Sequence, residues 1–164
     1  MELSNSSVIS DKEAWQIACH EAAHAVIAVH HRFDLENVEM IDEENAITRP
    51  LGGPIEDLHK VWVVEEVRKW QEFYAAGIAA ERLLFGEDRG HGWEVDKELH
   101  DKLERRYSRT HINAWEADIE NTMKLLDCES VEKVAKELQL TRKLDGDIVY
   151  AILGIKPPWE EPDW

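Results

Sequence analysis

The chain has 164 residues, 43% of them apolar, and a formal charge of −16. That length holds one domain with a proper core rather than two, and the acidic balance excludes a nucleic-acid partner, because phosphate binding needs a clustered excess of Lys and Arg. No apolar run reaches the roughly 18 residues of a membrane span, since the best stretch, from Ala22 to Val29, is broken by His24. The opening Met1-Glu2-Leu3-Ser4 lacks the basic and then apolar pattern of a secretory signal. A cytoplasmic location is therefore expected, with Cys19 and Cys128 as reduced thiols.

Ser10 and Glu13 stand three apart before an apolar-periodic run, the spacing of a capping box, and predict a helix from about Asp11 to His31. Trp15, Ala18, Ala22, Val26 and Val29 recur every three or four residues, so one stripe of that helix is expected to be buried. Val38 to Ile41 and Ala46 to Thr48 read as a small strand pair around the acidic turn 42–45, ended by Pro50 and Gly52-Gly53. From Ile55 to Phe85 the pattern is helical, as one helix or two, with Gly86 as a stop signal. A glycine-rich loop, Gly86 to Gly92, leads to Trp93-Glu94-Val95-Asp96 and a helix reaching about Tyr107. Further helices are expected over His111 to Leu126, Ser130 to Leu138 and Asp145 to Leu153. The fold class is thus mainly α with a small strand pair after the first helix: one domain over residues 1–155, then a Pro-rich acidic tail over 156–164.

The chemistry lies in His20-Glu21-Ala22-Ala23-His24. Each helical residue advances about 100°, so residues four apart lie about 40° apart on one face and about 6 Å along the axis. Two imidazoles so placed can grip one ion. Zinc suits two neutral histidine nitrogens plus a carboxylate, with an open position for water, and Glu21 beside that water can serve as general base. An H-E-x-x-H pattern alone is expected by chance roughly 0.05 times in such a chain, so a third ligand is needed. His30, six residues after His24, has the spacing of an extended zinc motif, but Ile27 continues the helix and carries His30 about 240° round and about 9 Å along. His30 and His31 read instead as a polar helix end. Glu43 and Glu44 fall in a turn, and Asp96 remains as a candidate on a later helix.

Three segments together resemble the FtsH-type AAA-protease peptidase domain. That family carries H-E-A-G-H, then a helix reading G-G-R-A-A-E-E-L-x-F-G, then T-G-A-x-x-D. Here they read His20-Glu21-Ala22-Ala23-His24, then Ala76-Gly77-Ile78-Ala79-Ala80-Glu81-Arg82-Leu83-Leu84-Phe85-Gly86, then His91-Gly92-Trp93-Glu94-Val95-Asp96. Leu144-Asp145-Gly146-Asp147 resembles the L-D-G-E before the family's last helix. The likeness runs from about Lys12 to Leu153, with Ala23 where the family has Gly and Ile78 where it has Arg.

The resemblance implies a helical, zincin-like peptidase domain in which Asp96 is the third zinc ligand. It leaves Glu81 with two roles, orienting a zinc histidine or pairing with a neighbouring Arg. His100, one turn after Asp96, is expected at the helix surface, with a pocket group or substitute ligand as the alternatives. The family strand that meets an extended substrate is represented by Arg49-Pro50-Leu51-Gly52-Gly53, which makes Leu51 and Gly52 candidate substrate contacts. No G-x-x-x-x-G-K-[ST] loop is present, so the isolated chain is expected to act without ATP. Two functions stay open: a zinc metallopeptidase acting on peptides or unfolded proteins, or a metal-stabilised, proteolytically inactive binding module. A homo-oligomer or a separate unfoldase partner is compatible with either.

Overall fold

The computed structural model describes residues 10–57, 59–107 and 114–160. Residues 111–113, where the fourth helix is predicted to begin, and 161–164 of the tail lie outside them. The described residues are mainly helical, with six α-helices and one three-stranded antiparallel sheet.

Helix α1 spans Asp11–His30 and starts where the capping pattern places it, the Ser10 side chain accepting the Glu13 N–H at 3.2 Å. The expected single buried stripe is a correction: from Ile17 to Val29 every residue but Glu21 is buried. The physical reason is the run of alanines at 18, 22, 23, 25 and 28, whose small side chains let neighbours approach the helix from all sides. α1 is therefore the central element, packed by α2 (Val64–Phe85), by α5 (Cys128–Thr141) and by the sheet.

Strands β1 (Leu35–Met40) and β2 (Ala46–Pro50) pair antiparallel. The Asp42 carboxylate accepts the Glu44 and Asn45 backbone N–H groups, both at 2.8 Å, and so closes the turn between them. The expected strand pair is a three-stranded sheet ordered β2-β1-β3, because Lys143–Asp145 forms β3 and sets Leu144 opposite Val38. Those three residues carry no strand period of their own, and the buried Val38–Leu144 pair supplies the reason for pairing.

The described residues 55–57 and 59–63 are not helical: α2 begins at Val64, after turns in which Trp62 Nε1–H donates to the Asp57 carbonyl at 3.0 Å. It ends as expected at Gly86, whose φ of 76° admits the left-handed cap that returns its N–H to the Arg82 carbonyl. α3 (Glu94–Arg106) and α4 (Ala114–Leu125) pack beside α2, and α6 (Gly146–Ile152) closes against β1. Cys19 and Cys128 are both free.

Gly146 lies so close to β1 that a Cβ there would strike the Leu35 carbonyl. Gly146→Ala is expected to lower stability by about 2 kcal/mol, the scale of overpacking a core. A urea midpoint equal to wild type would show that α6 and β1 part at no cost.

Candidate metal centre

One face of α1 carries His20 and His24, each no more than 3% exposed. The α2 residues Phe73, Gly77 and Glu81, spaced four apart, lie against it on one stripe of their own helix. Gly77 has a steric role: a Cβ there would collide with the His20 imidazole, so its absence makes room for the ring. α3 brings Asp96 from its first turn, where the helix dipole favours a carboxylate.

Each imidazole donates its Nδ1–H away from the centre, His20 to Glu81 Oε1 at 2.9 Å and His24 to the Phe73 carbonyl at 2.7 Å. The Nε2 lone pairs therefore face inward. His20 Nε2 and His24 Nε2 are 3.2 Å apart, and Asp96 Oδ2 lies 3.1 Å from the first and 3.2 Å from the second. Three acceptors meet with no hydrogen between them if both rings are neutral, an arrangement that calls for a cation. Ligand atoms around tetrahedral zinc stand about 3.3 Å apart, so the triangle fits that ion, and among the described residues it is the one His/Cys/Asp/Glu group compact enough to hold a metal.

Without a metal the triangle holds protons. Burial opposes charge on His20, but the hydrogen bonds it donates to Asp96 and Glu81 outweigh it and lift its pKa to about 10. Burial is overcome at His24 too, chiefly by the Asp96 charge, and its pKa is raised. Asp96 itself is held well below the usual carboxylate range: burial works the other way, and the charge on His24 and the bonds to both histidines prevail.

Glu81 contacts both His20 and Arg89. It is fully buried, receives the His20 Nδ1–H, and accepts from Arg89 twice, from backbone N–H and from Nε–H, each at 2.9 Å. Glu21 is half-buried and its Oε2 accepts the Thr48 hydroxyl at 2.8 Å, tying the motif's carboxylate to β2. Leu51 lines the cleft in front of the triangle, while Gly52 lies in a neighbouring pocket with Trp62. His100 is a correction: it is neither at the surface nor in the cleft, but fully buried, its Nε2 2.6 Å from Asp118 Oδ2 on α4. A four-residue step keeps it on the Asp96 side of α3, where α4 covers it. His30 stands exposed at the end of α1, and His31 pairs with Glu72 at 2.7 Å. Thr48, Arg89 and the Phe73 carbonyl carry no signature that sequence reasoning could use.

A cleft of about 680 Å³ opens onto His24, Asp96 and Glu21. One side is apolar, with Trp70, Phe73 and Tyr74, and β2 forms a wall. A second cavity of about 580 Å³ adjoins it at Glu21 and is lined by Glu13, Glu44 and Arg89.

A buried His/His/Asp triangle is a donor set that fits zinc. No protein-family model matches the chain. It is 30% identical over 114 residues to the ATP-dependent zinc metalloprotease FtsH 3 of Symbiobacterium thermophilum, an alignment that takes in 67% of this chain and 17% of that protein. The likeness is thus distant, and the chain spans under a fifth of the relative's length.

Zinc must displace the proton held at His20, so its affinity is expected to rise about tenfold per pH unit between about pH 6 and pH 8 for each proton released. Competition with a chromophoric chelator reads this, and a flat profile would contradict it. Gly77→Ala should favour the helix by about 0.5–1 kcal/mol on propensity alone, but the collision with His20 is expected to dominate and to weaken zinc binding about 10- to 100-fold. Unchanged affinity in the same assay would show that His20 does not need that space.

Proposed function

We propose that this chain is a zinc-dependent peptidase in which His20, His24 and Asp96 hold the metal and Glu21 is the general base. The observation that carries this reading is the triangle of three inward-facing acceptor atoms, 3.1 to 3.2 Å apart, beside a glutamate that lines the cleft. When bound, zinc supplies a polarised substrate carbonyl and a water of lowered pKa. Glu21 would take a proton from the attacking water as its oxygen bonds to the carbonyl carbon and would deliver it to the amide nitrogen as the C–N bond breaks, leaving a carboxylic acid and an amine. Thr48 keeps the Glu21 carboxylate turned for both transfers. Glu81 and the Phe73 carbonyl hold both rings in the tautomer that offers Nε2.

The substrate this cleft suits is an extended peptide or unfolded segment. β2 pairs only with β1 among the described residues, so its other edge can offer backbone hydrogen bonds to a chain lying in the cleft. The apolar side would take a large apolar side chain. The distant likeness to a zinc metalloprotease supports the reaction class.

Glu21→Gln keeps the size of the side chain but cannot take up a proton. It is expected to bind zinc as the wild type does and to lose about 10²- to 10⁴-fold in hydrolysis of a fluorogenic unfolded protein. Zinc-loaded wild type whose turnover is no greater than that of the variant would leave a metal-stabilised binding module as the better reading.

A further inference from the structure

We propose that Tyr74 is a further catalytic residue, its hydroxyl donating a hydrogen bond to the oxygen of the substrate carbonyl under attack. The inference rests on the peptidase reading above. Tyr74 lies three residues before Gly77 on α2, on the face that meets the histidines, and directly follows Phe73, whose carbonyl holds His24. It lines the same cleft as Glu21, His24 and Asp96.

The ring is accounted for by packing. It is 8% exposed and sits in an aromatic cluster, 5.4 Å from Phe73 and 6.5 Å from Trp70 between centroids. A phenylalanine would serve that purpose equally well, and it is the hydroxyl that lacks an account. A buried tyrosine ordinarily finds a hydrogen-bond partner for its O–H, as Tyr150 does with the Phe33 carbonyl at 2.8 Å. The Tyr74 hydroxyl makes no hydrogen bond to any described residue and is not sealed away from the cleft. Its partner is therefore expected among molecules that enter the cleft. Burial pushes its pKa up, and the Asp96 and Glu56 charges add to the rise, so the group stays a donor at working pH.

A neutral phenol in the cleft gains most from an oxygen that becomes negative during the reaction, and a fixed donor aimed at such an oxygen lowers the barrier without tightening substrate binding equally. Tyr74 transfers no proton in this role: it lends its hydrogen as charge builds on the oxygen and keeps it when the carbonyl re-forms.

The test is Tyr74→Phe in the zinc-loaded full chain, with turnover of a fluorogenic unfolded protein, zinc affinity, and calorimetric binding of a phosphinic pseudopeptide that mimics the tetrahedral state. The expected result is a kcat about 100-fold lower, KM within about twofold, phosphinate binding weakened in step with kcat, and unchanged zinc affinity. Equal kcat and equal phosphinate binding in the two proteins would overturn the inference while leaving the peptidase reading intact. A parallel loss of zinc affinity would also overturn it, because Tyr74 would then act by positioning Asp96. A wild type without turnover would instead overturn the peptidase reading, and the inference with it.

Discussion

Two hydrogen bonds pointing away from the centre organise everything at the centre. Because His20 gives its Nδ1–H to Glu81 and His24 gives its own to the Phe73 carbonyl, both Nε2 lone pairs must face each other and Asp96 Oδ2. Three acceptors within 3.2 Å repel unless a positive charge joins them. The raised pKa values of both histidines and the depressed one of Asp96 express that demand in protons. A divalent ion would meet the same demand, and His20, His24 and Asp96 would be the residues to hold it.

That arrangement constrains the surrounding fold. The two rings must sit on a helix buried on all sides, which the alanines of α1 make achievable, and His20 needs the volume that Gly77 leaves free on α2. Glu81 would be costly as a fully buried carboxylate, and its bonds from His20, the Arg89 backbone and the Arg89 side chain offset that cost. The loop between α2 and α3 thus has a second task besides delivering Asp96: it brings Arg89 back against the acid that orients His20. His100, paired with Asp118, then ties α3 to α4 one turn beyond Asp96.

The cleft joins this centre to a wall of β2 and an apolar side formed by one turn of α2. Thr48 links the two, since its hydroxyl rests on the Glu21 carboxylate. In the proposed peptidase, a base held by the strand that would receive the substrate would be aligned with that substrate. The distant zinc metalloprotease relative shares 30% identity over 114 residues, a span that matches only 17% of its length.

The helices, the first capping residue, the stop at Gly86 and the pairing of His20 with His24 were legible in the chain because each depends on residues within four positions of one another. Resemblance to a family, rather than spacing, pointed to Asp96 and Glu81. Local pattern failed where distant partners decide the outcome. β3 is a strand because Leu144 meets Val38 across more than a hundred residues, α1 is buried all round because neighbours close over its alanines, and His100 is buried because α4 covers it. Thr48 and Arg89 are ordinary residues in the chain, and gain their contacts only from what lies opposite them. Short-range backbone chemistry thus set His20 and His24 on one helix face, while the approach of Asp96, the orientation of the ring lone pairs and the shape of the cleft came from long-range packing, whose partners no local period encodes.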